Sequence, residues 1–527
     1  MSTIIGIHHG GHDSSVALVI DGKLVCAIEE EKLTGIKAIH SYWAHPTKGL
    51  EFIEKHFGVT LENCDHVAFA LPKHYKIEDD NISLIDKTTS YSHHKCHALG
   101  AYFTSGFDGK VLAVSHDGQG NRSRGKVYLC DNGEYEVVSS QNVPTTTSLA
   151  GLWGRVTVLL GWQMFKDEGK VVGMASHGKY NEMLYNYLKY IIKYNGDLTF
   201  GPSNSETLFD FIFVDKLKNS GYFDSEENRN DLAFCLEKHT EELMWQYLRD
   251  LKSRYPDYNK ITFNGGLFAN VKLNQSINSF NFFEEIYIHP SMGDGGLSTG
   301  AALCKANELG ELTLPLKLDN VFFGSEFNGD DWMSEINNYP GQIYFEPSSH
   351  SRVAELINEG KVVGLFYGKT EYGPRALGNR SIVTRPTDTK THVLLNQKLR
   401  RNEIMPFAPS VLKEHINTIF HADRSLYAAE FMTLCYDTRK EWVDKIPAVI
   451  HPKDKTARPQ AVDKNNNPNF HSIITEYYKL SDIPVVLNTS FNAHGEPINN
   501  YPNQVIKHLL EGCVDYIATE HFIFSKL

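Results

Sequence analysis

TIIGIHHGGHDSSVALVIDGKLVCAI, residues 3–28, reads as a strand, a glycine turn and a hairpin. Thr3 to Ile7 is apolar and β-rich, His8 to Ser15 forms the turn, and Val16 to Ile20 returns. Asp21-Gly22 is a strong two-residue hairpin signal ahead of Leu24 to Ile28. The design recurs. Val111 to Val114 leads into Ser115-His116-Asp117-Gly118-Gln119-Gly120-Asn121, then Lys126 to Cys130, Asp131-Asn132-Gly133 and Tyr135 to Val138. Two units of one design imply an internal duplication, and each tip carries a His-Asp pair, His12-Asp13 and His116-Asp117. Glycines at such a tip let backbone N–H groups approach a phosphate.

Between the two units stands Ser92-His93-His94-Lys95-Cys96-His97-Ala98, followed by a helix-compatible run. On a helix His93 and His97 share one face, and two imidazoles at that spacing can reach one divalent cation. An isolated pair of this kind is more often two unrelated histidines at a helix start. Amphipathic spacing predicts helices over Leu50 to His56, Ser148 to Leu160, Asn181 to Ile192 and Asp231 to Lys252.

The 527 residues are too many for one core and point to at least two domains. A net charge of −12 speaks against a general nucleic-acid partner. There is no signal-peptide pattern and no apolar run near the ~20 residues of a membrane span. Eight scattered cysteines form no CxxC pairs, so a reducing cytoplasm is expected.

Glycine density over Asp167 to Gly178 predicts a loop close to a ligand. Ile261 to Asn270, with Gly265-Gly266, reads as a strand entering a helix, an arrangement that sets amides beside an anion. Asp294, in Gly293-Asp294-Gly295-Gly296, reads either as a helix N-cap or as a metal carboxylate. A domain boundary is placed near Asn338-Tyr339-Pro340, giving domains 1–338 and 339–527. Beyond it, Gly368 to Ser381 carries Arg375 and Arg380, and Lys398-Leu399-Arg400-Arg401 adds positive charge. Such loops hold phosphate oxygens, Arg by bidentate hydrogen bonds. The polar tip Asn488-Thr489-Ser490 can cradle a phosphate as well.

Taken in order, HDSS (12–15), HHKCHA (93–98), DGQGN (117–121), GKVVGMASHG (169–178), GGLFAN (265–270), GDGGLSTGAA (293–302), EYGPRALGNRS (371–381), PFAPSV (406–411), TARPQ (456–460) and NTSFNAHGEPI (488–498) resemble the O-carbamoyltransferase family. That family includes the tobramycin, cephamycin, novobiocin and nodulation-factor carbamoyltransferases. The resemblance implies an α/β chain: a duplicated actin/sugar-kinase-like (Kae1-like) domain, then a YrdC/Sua5-like domain. It implies that the second domain makes carbamoyl adenylate from carbamoyl phosphate and ATP, and that the first moves the carbamoyl group onto an acceptor hydroxyl. By the same resemblance His93, His97, Asp117 and Asp294 would hold an Fe(II)-like ion, and His12 would be the base. Gly173, Gly265, Gly266 and Asn270 would receive the nucleotide. Arg375, Arg380, Lys398, Arg400, Asn488 and Ser490 would bind carbamoyl phosphate and the phosphates of ATP, with Mg2+ accompanying ATP. One departure is Met405, where relatives commonly carry arginine before the PFAP segment. The partner expected is a small-molecule or glycan acceptor, with neither nucleic acid nor membrane, and with the oligomeric state open to a homodimer. The alternative is a tRNA threonylcarbamoyl-type transferase or a carbamoyl-handling maturation factor, for which the sequence offers no basic RNA-binding face.

Overall fold

In a computed structural model, residues 2–9, 12–38, 46–70, 86–141, 148–202, 212–401 and 404–527 are described. Gly10 and Gly11 of the first turn lie outside them. The chain forms two compact units, Met1–Val25 with His40–Leu318, and Cys26–Ile39 with Asp319–Leu527. The division at Leu318 precedes the expected one near 338, and the second unit recruits an early segment that composition does not flag.

The first unit is mixed α/β and states its duplication in its sheets. β1 (Thr3–His8), β2 (Ser15–Ile20), β3 (Lys23–Glu29), β4 (His66–Ala70) and β5 (Thr88–Tyr91) form a sheet in the order β3-β2-β1-β4-β5. β1 runs antiparallel to β2, with Thr3 opposite Ile20, and parallel to β4. β6 (Lys110–Gly120), β7 (Ser123–Asp131), β8 (Glu134–Ser140), β9 (Lys260–Asn264) and β10 (Glu285–Ile288) form a second sheet, β10-β9-β6-β7-β8. Matched strand for strand, the order and pair directions are the same. The hairpin turns agree too: Asp21 and Gly22 (φ +50° and +72°) and Asn132 and Gly133 (φ +47° and +89°) both take the left-handed backbone of a tight hairpin.

Each fifth strand leads into a helix. α1 (His93–Thr104) follows β5, and α3 (Leu297–Glu308) follows β10. The 29-residue α2 (Glu226–Arg254) lies between β8 and β9 in the chain. α1 and α3 pack together because both are rich in small residues. A Cβ on Gly300 would sit 2.0 Å from the Cys96 carbonyl oxygen, and one on Gly100 would sit 3.1 Å from the Gly300 Cα. The expected loop over 167–178 is instead helical from Glu168 to Ala175, with Gly173 buried in it. The spacing of its apolar residues outweighs its two glycines.

The second unit is built on an eight-stranded sheet. Its strands are β11 (Ile343–Pro347), β12 (Val363–Phe366), β13 (Arg380–Thr384), β14 (Ala408–Leu412), β15 (Gln460–Val462), β16 (Val485–Ser490), β17 (Tyr516–Ala518) and β18 (Phe522–Lys526). Their order is β11-β18-β17-β12-β13-β16-β14-β15. α4 (His350–Asn358) and α5 (Pro468–Ser481) supply Val353, Leu356, Ile357, Phe470, Ile473 and Ile474 to its core. Lys32 and Glu29, from the early segment, are buried here. The Lys32 ammonium lies 2.7 Å from a Glu29 carboxylate oxygen and donates to the carbonyls of Glu371 and Gly373. Glu29 accepts from the Gly373 N–H. No helix among the described residues is long and apolar enough to cross a membrane.

Candidate metal centre and phosphate cradle

β6 bulges after His116, and the bulge turns Asp117 out of the ladder. Gly265 takes φ +105°, and a Cβ there would sit 2.1 Å from the His116 carbonyl oxygen. The neighbouring Gly266 N–H donates to Asp117 Oδ1 at 2.9 Å. The glycine pair therefore packs against this turn and fixes a carboxylate. The other oxygen, Oδ2, lies 3.0 Å from His93 Nε2 and 3.7 Å from His97 Nε2. Asp294, in the short turn before α3, places Oδ1 3.6 Å from His93 Nε2 and 3.3 Å from His97 Nε2. One ligand atom from each of the four residues falls within 4.8 Å of all the others.

This donor set fits a divalent cation. Both carboxylates are largely buried side by side, an arrangement that needs compensating positive charge. Both ring nitrogens of His97 are buried without a hydrogen-bond partner of good geometry. Burial, the largest influence on Asp117 and on Asp294, works to raise them. The two histidines overcome it and hold Asp117 well below the usual carboxylate range and Asp294 at about 2. Two imidazoles with two carboxylates is a composition suited to zinc and to non-haem iron. His94, between the two ligands, does other work: its ring bridges Ser115 Oγ and the Ser123 carbonyl as a satisfied core histidine.

His12 completes the group. Its Nδ1 lies 2.9 Å from Asp13 Oδ2, and its Nε2 lies 3.9 Å from Asp294 Oδ2. Burial works to lower its pKa, but the Asp13 hydrogen bond and the charges of Asp294, Asp13 and Asp117 raise it to about 9. Asn270 stands apart. Its side-chain oxygen caps the helix Val271–Ser279, and its amide nitrogen donates to Glu237. Its polar atoms thus serve the fold where a nucleotide ligand was expected.

In the second unit the basic residues diverge. Arg380 is fully buried, donates to the carbonyls of Tyr367, Asn379, Ser325 and Gly368, and stacks on Phe366 at 3.5 Å. It braces the loop rather than facing a phosphate. Glu371 is the loop's hub, accepting from the N–H groups of Leu377, Asn379 and Arg380. Lys398 pairs with Asp515, and the exposed Arg400 pairs with Glu511. Asn488 is buried, donating to Ala376, Ser410 and Gln460. Arg375 remains half-buried in its loop. The guanidinium that reaches the polar tip is Arg401, which donates to Thr489 Oγ1, Ser490 Oγ and Asn492 Oδ1. Arg400, two residues beyond the helix Thr391–Lys398, takes φ +55°, and Arg401 follows it to the polar tip. That signal is conformational, and a basic run does not display it.

A 31% identical protein of Methanocaldococcus jannaschii, MJ1058, aligns over 83% of this chain and 73% of its own length. The nodulation protein NolNO of Sinorhizobium fredii is 28% identical over 98% of this chain and 79% of its own. Among solved structures, full-length HypF in a phosphate- and nucleotide-bound form is 15% identical and covers 58% of this chain and 46% of that one, with a TM-score of 0.34. The carbamoyltransferase N-terminus model matches residues 3–78 and 73–303, and the carbamoyltransferase C-terminus model matches 354–526. With both halves matched in order over most of its length, the chain belongs to the carbamoyltransferase family and is an enzyme of that kind.

Proposed function

We propose that the chain is an ATP-dependent O-carbamoyltransferase. In this reading the second unit, a YrdC/Sua5-like domain, makes carbamoyl adenylate from carbamoyl phosphate and ATP, releasing phosphate and pyrophosphate. The first, a duplicated actin/sugar-kinase-like (Kae1-like) domain, transfers the carbamoyl group to a hydroxyl of a small-molecule or glycan acceptor. The observation that carries the reading is the convergence of His93, His97, Asp117 and Asp294, with His12 facing the same Asp294.

A divalent cation held by those four residues, Fe(II) in this reading, would supply Lewis-acid stabilisation of negative charge on the departing AMP. The chain's own groups do the rest. Asp13 accepts from His12 Nδ1–H and orients the ring, so Nε2 is the atom that would take the acceptor's hydroxyl proton once a bound cation offsets the Asp294 and Asp117 charges that raise its pKa. The acceptor oxygen then bonds the carbamoyl carbon, and the bond from that carbon to the AMP phosphate oxygen breaks with its electron pair going to AMP. Gly266 holds Asp117 in place throughout. In the second unit Arg375 and Arg401 would grip phosphate oxygens beside Thr489, Ser490 and Asn492.

The test separates the half-reactions. Wild-type enzyme should release pyrophosphate from ATP only when carbamoyl phosphate is present. His93→Ala with His97→Ala should abolish carbamoylation of sugar acceptors, read as mass gain, while pyrophosphate release persists. Arg375→Ala should lose pyrophosphate release. If both variants lose the same half-reaction, the division of labour between the units is wrong.

A further inference from the structure

The helix Pro502–Leu510 of the second unit ends in a cluster that the chemistry above leaves unused. His508 and Glu511 stand three residues apart and share a face. Gly512 takes φ +78°, and the Cys513 N–H turns back to donate to the His508 carbonyl at 2.9 Å. This left-handed stop returns Cys513 to the last turn of the helix. A ring nitrogen of His508, a carboxylate oxygen of Glu511 and the Cys513 sulfur therefore lie within 4.8 Å of one another. His508 is 3% exposed. Its Nε2 lies 2.9 Å from Glu496 Oε2, which also accepts from the Ala493 N–H at 3.0 Å. Its Nδ1 is buried and has no hydrogen-bond partner of good geometry. A carboxylate that takes the N–H of one imidazole nitrogen leaves the other its lone pair, the arrangement that stands behind metal-bound histidines. A histidine kept for packing alone would have its second nitrogen satisfied.

We propose that His508 Nδ1, a Glu511 carboxylate oxygen and the Cys513 thiolate bind a zinc ion, with water in the fourth position. The site does not depend on the carbamoyl-transfer reading. Thiolate, imidazole and carboxylate together suit Zn2+, whereas Mg2+ takes oxygen ligands. The donor set differs from that of the first unit's centre by its sulfur. Cys513 is 1% exposed, and Glu511, with a side chain 31% exposed, forms the outer wall through which an ion and its water enter. Glu511 also pairs with Arg400 at 3.2 Å, but Arg400 is well exposed and such a pair holds a carboxylate weakly. The cysteine proton leaves to solvent as the ion binds. The ion's task is to fasten a corner of the fold. The Gly512 carbonyl accepts from Lys398 at 3.0 Å, and Glu511 holds Arg400, the residue before Arg401. From the other side Asn492, a partner of Arg401, donates to the Glu496 carbonyl at 2.6 Å. Zinc thus ties the helix end to both supports of the Arg401 guanidinium.

Cobalt(II) substitution tests the proposal on the full chain after treatment with a chelator. A cobalt–thiolate bond absorbs in the near ultraviolet by charge transfer, and the centre of two histidines and two aspartates in the first unit has no thiolate to give that band. Wild-type protein should develop the band on titration with Co2+ and lose it when Zn2+ is added. His93→Ala with His97→Ala should leave the band intact. Cys513→Ser should abolish it, and zinc bound per chain should fall by one. Glu511→Gln, a change at the surface that spares the core, should weaken cobalt binding at least tenfold. Glu496→Gln should weaken it about 10–100-fold with the band at an unchanged wavelength, because Glu496 positions the ligand and does not touch the ion. Wild-type protein without the band would overturn the site and leave His508 as an imidazole shared between Cys513 and Glu496. A band that survives Cys513→Ser would overturn it too, since the thiolate would then be one of the other cysteines. So would unchanged cobalt affinity in Glu511→Gln, the variant that decides the matter if Cys513→Ser fails to fold.

Discussion

Glu237 shows what a single buried group does to this protein. It lies on α2, almost fully buried, with one carboxylate oxygen accepting from Asn270 and the other without a partner. Burial raises it from an ordinary 4.5 to about 7. Below pH 4.5 both the folded and unfolded chain keep the proton. Between 4.5 and 7 the unfolded chain gives it up while the folded one retains it, so stability falls as pH rises and levels off above 7. The gap corresponds to about 3 kcal/mol. Glu237→Gln keeps the Asn270 contact and should abolish that slope, raising the melting temperature at pH 8 while leaving it nearly unchanged at pH 4. Residues of this sort are poorly legible in sequence, because a glutamate on a long helix is ordinarily solvated. The same limit hid Arg401. Three basic positions in one run, Lys398, Arg400 and Arg401, look interchangeable, and the left-handed turn at Arg400 decides which one enters the site. His93 and His97 were legible because a helix forces residues four apart onto one face.

At the scale of elements, the metal centre depends on how closely two helices approach. α1 carries the histidines and α3 begins just after Asp294, and Gly300 lets them touch. Gly300→Ala should push a methyl group into the Cys96 carbonyl and separate the helices. A cost of about 1–3 kcal/mol is expected for such overpacking. Iron or zinc bound per chain, measured by mass spectrometry after dialysis, should fall well below the wild-type ratio although every ligand is intact. Elements were the most readable level of the sequence. Apolar alternation and turn chemistry located the hairpins and the helices over 50–56, 148–160, 181–192 and 231–252, but not Gly329–Ile336, Thr391–Lys398, Pro468–Ser481 or Pro502–Leu510. Glu168–Ala175 was read as loop because of the glycines inside it. That helix carries no obligatory left-handed residue, and burial of Val171, Val172 and Met174 sets its conformation.

At the scale of the molecule, the first unit's duplication supplies the site in matched halves. His12 follows β1 and Asp117 follows His116 of β6. His93 and His97 open the helix after β5, and Asp294 opens the one after β10. Equivalent points of two repeats have taken complementary tasks. The hairpins announced this repeat in the sequence, but the membership of Cys26–Ile39 in the second unit was not visible, since it is a matter of long-range contact. That membership can be probed. Lys32→Ala leaves Glu29 buried without its counter-charge, a change expected to cost about 3–5 kcal/mol. Urea unfolding followed by limited proteolysis should show cleavage within 319–527 at lower denaturant in this variant.

The crossing of Cys26–Ile39 also sets an order of events during synthesis. The ribosome delivers this segment some 280 residues before Asp319. At ordinary translation speeds that is a wait of roughly fifteen seconds to a minute. Through that interval Glu29 and Lys32 have each other, but the Glu371 and Gly373 backbone groups they also bind do not yet exist. The second unit therefore cannot close its buried ion pair until its own later strands have been made, so its completion is the last step of folding for this early segment.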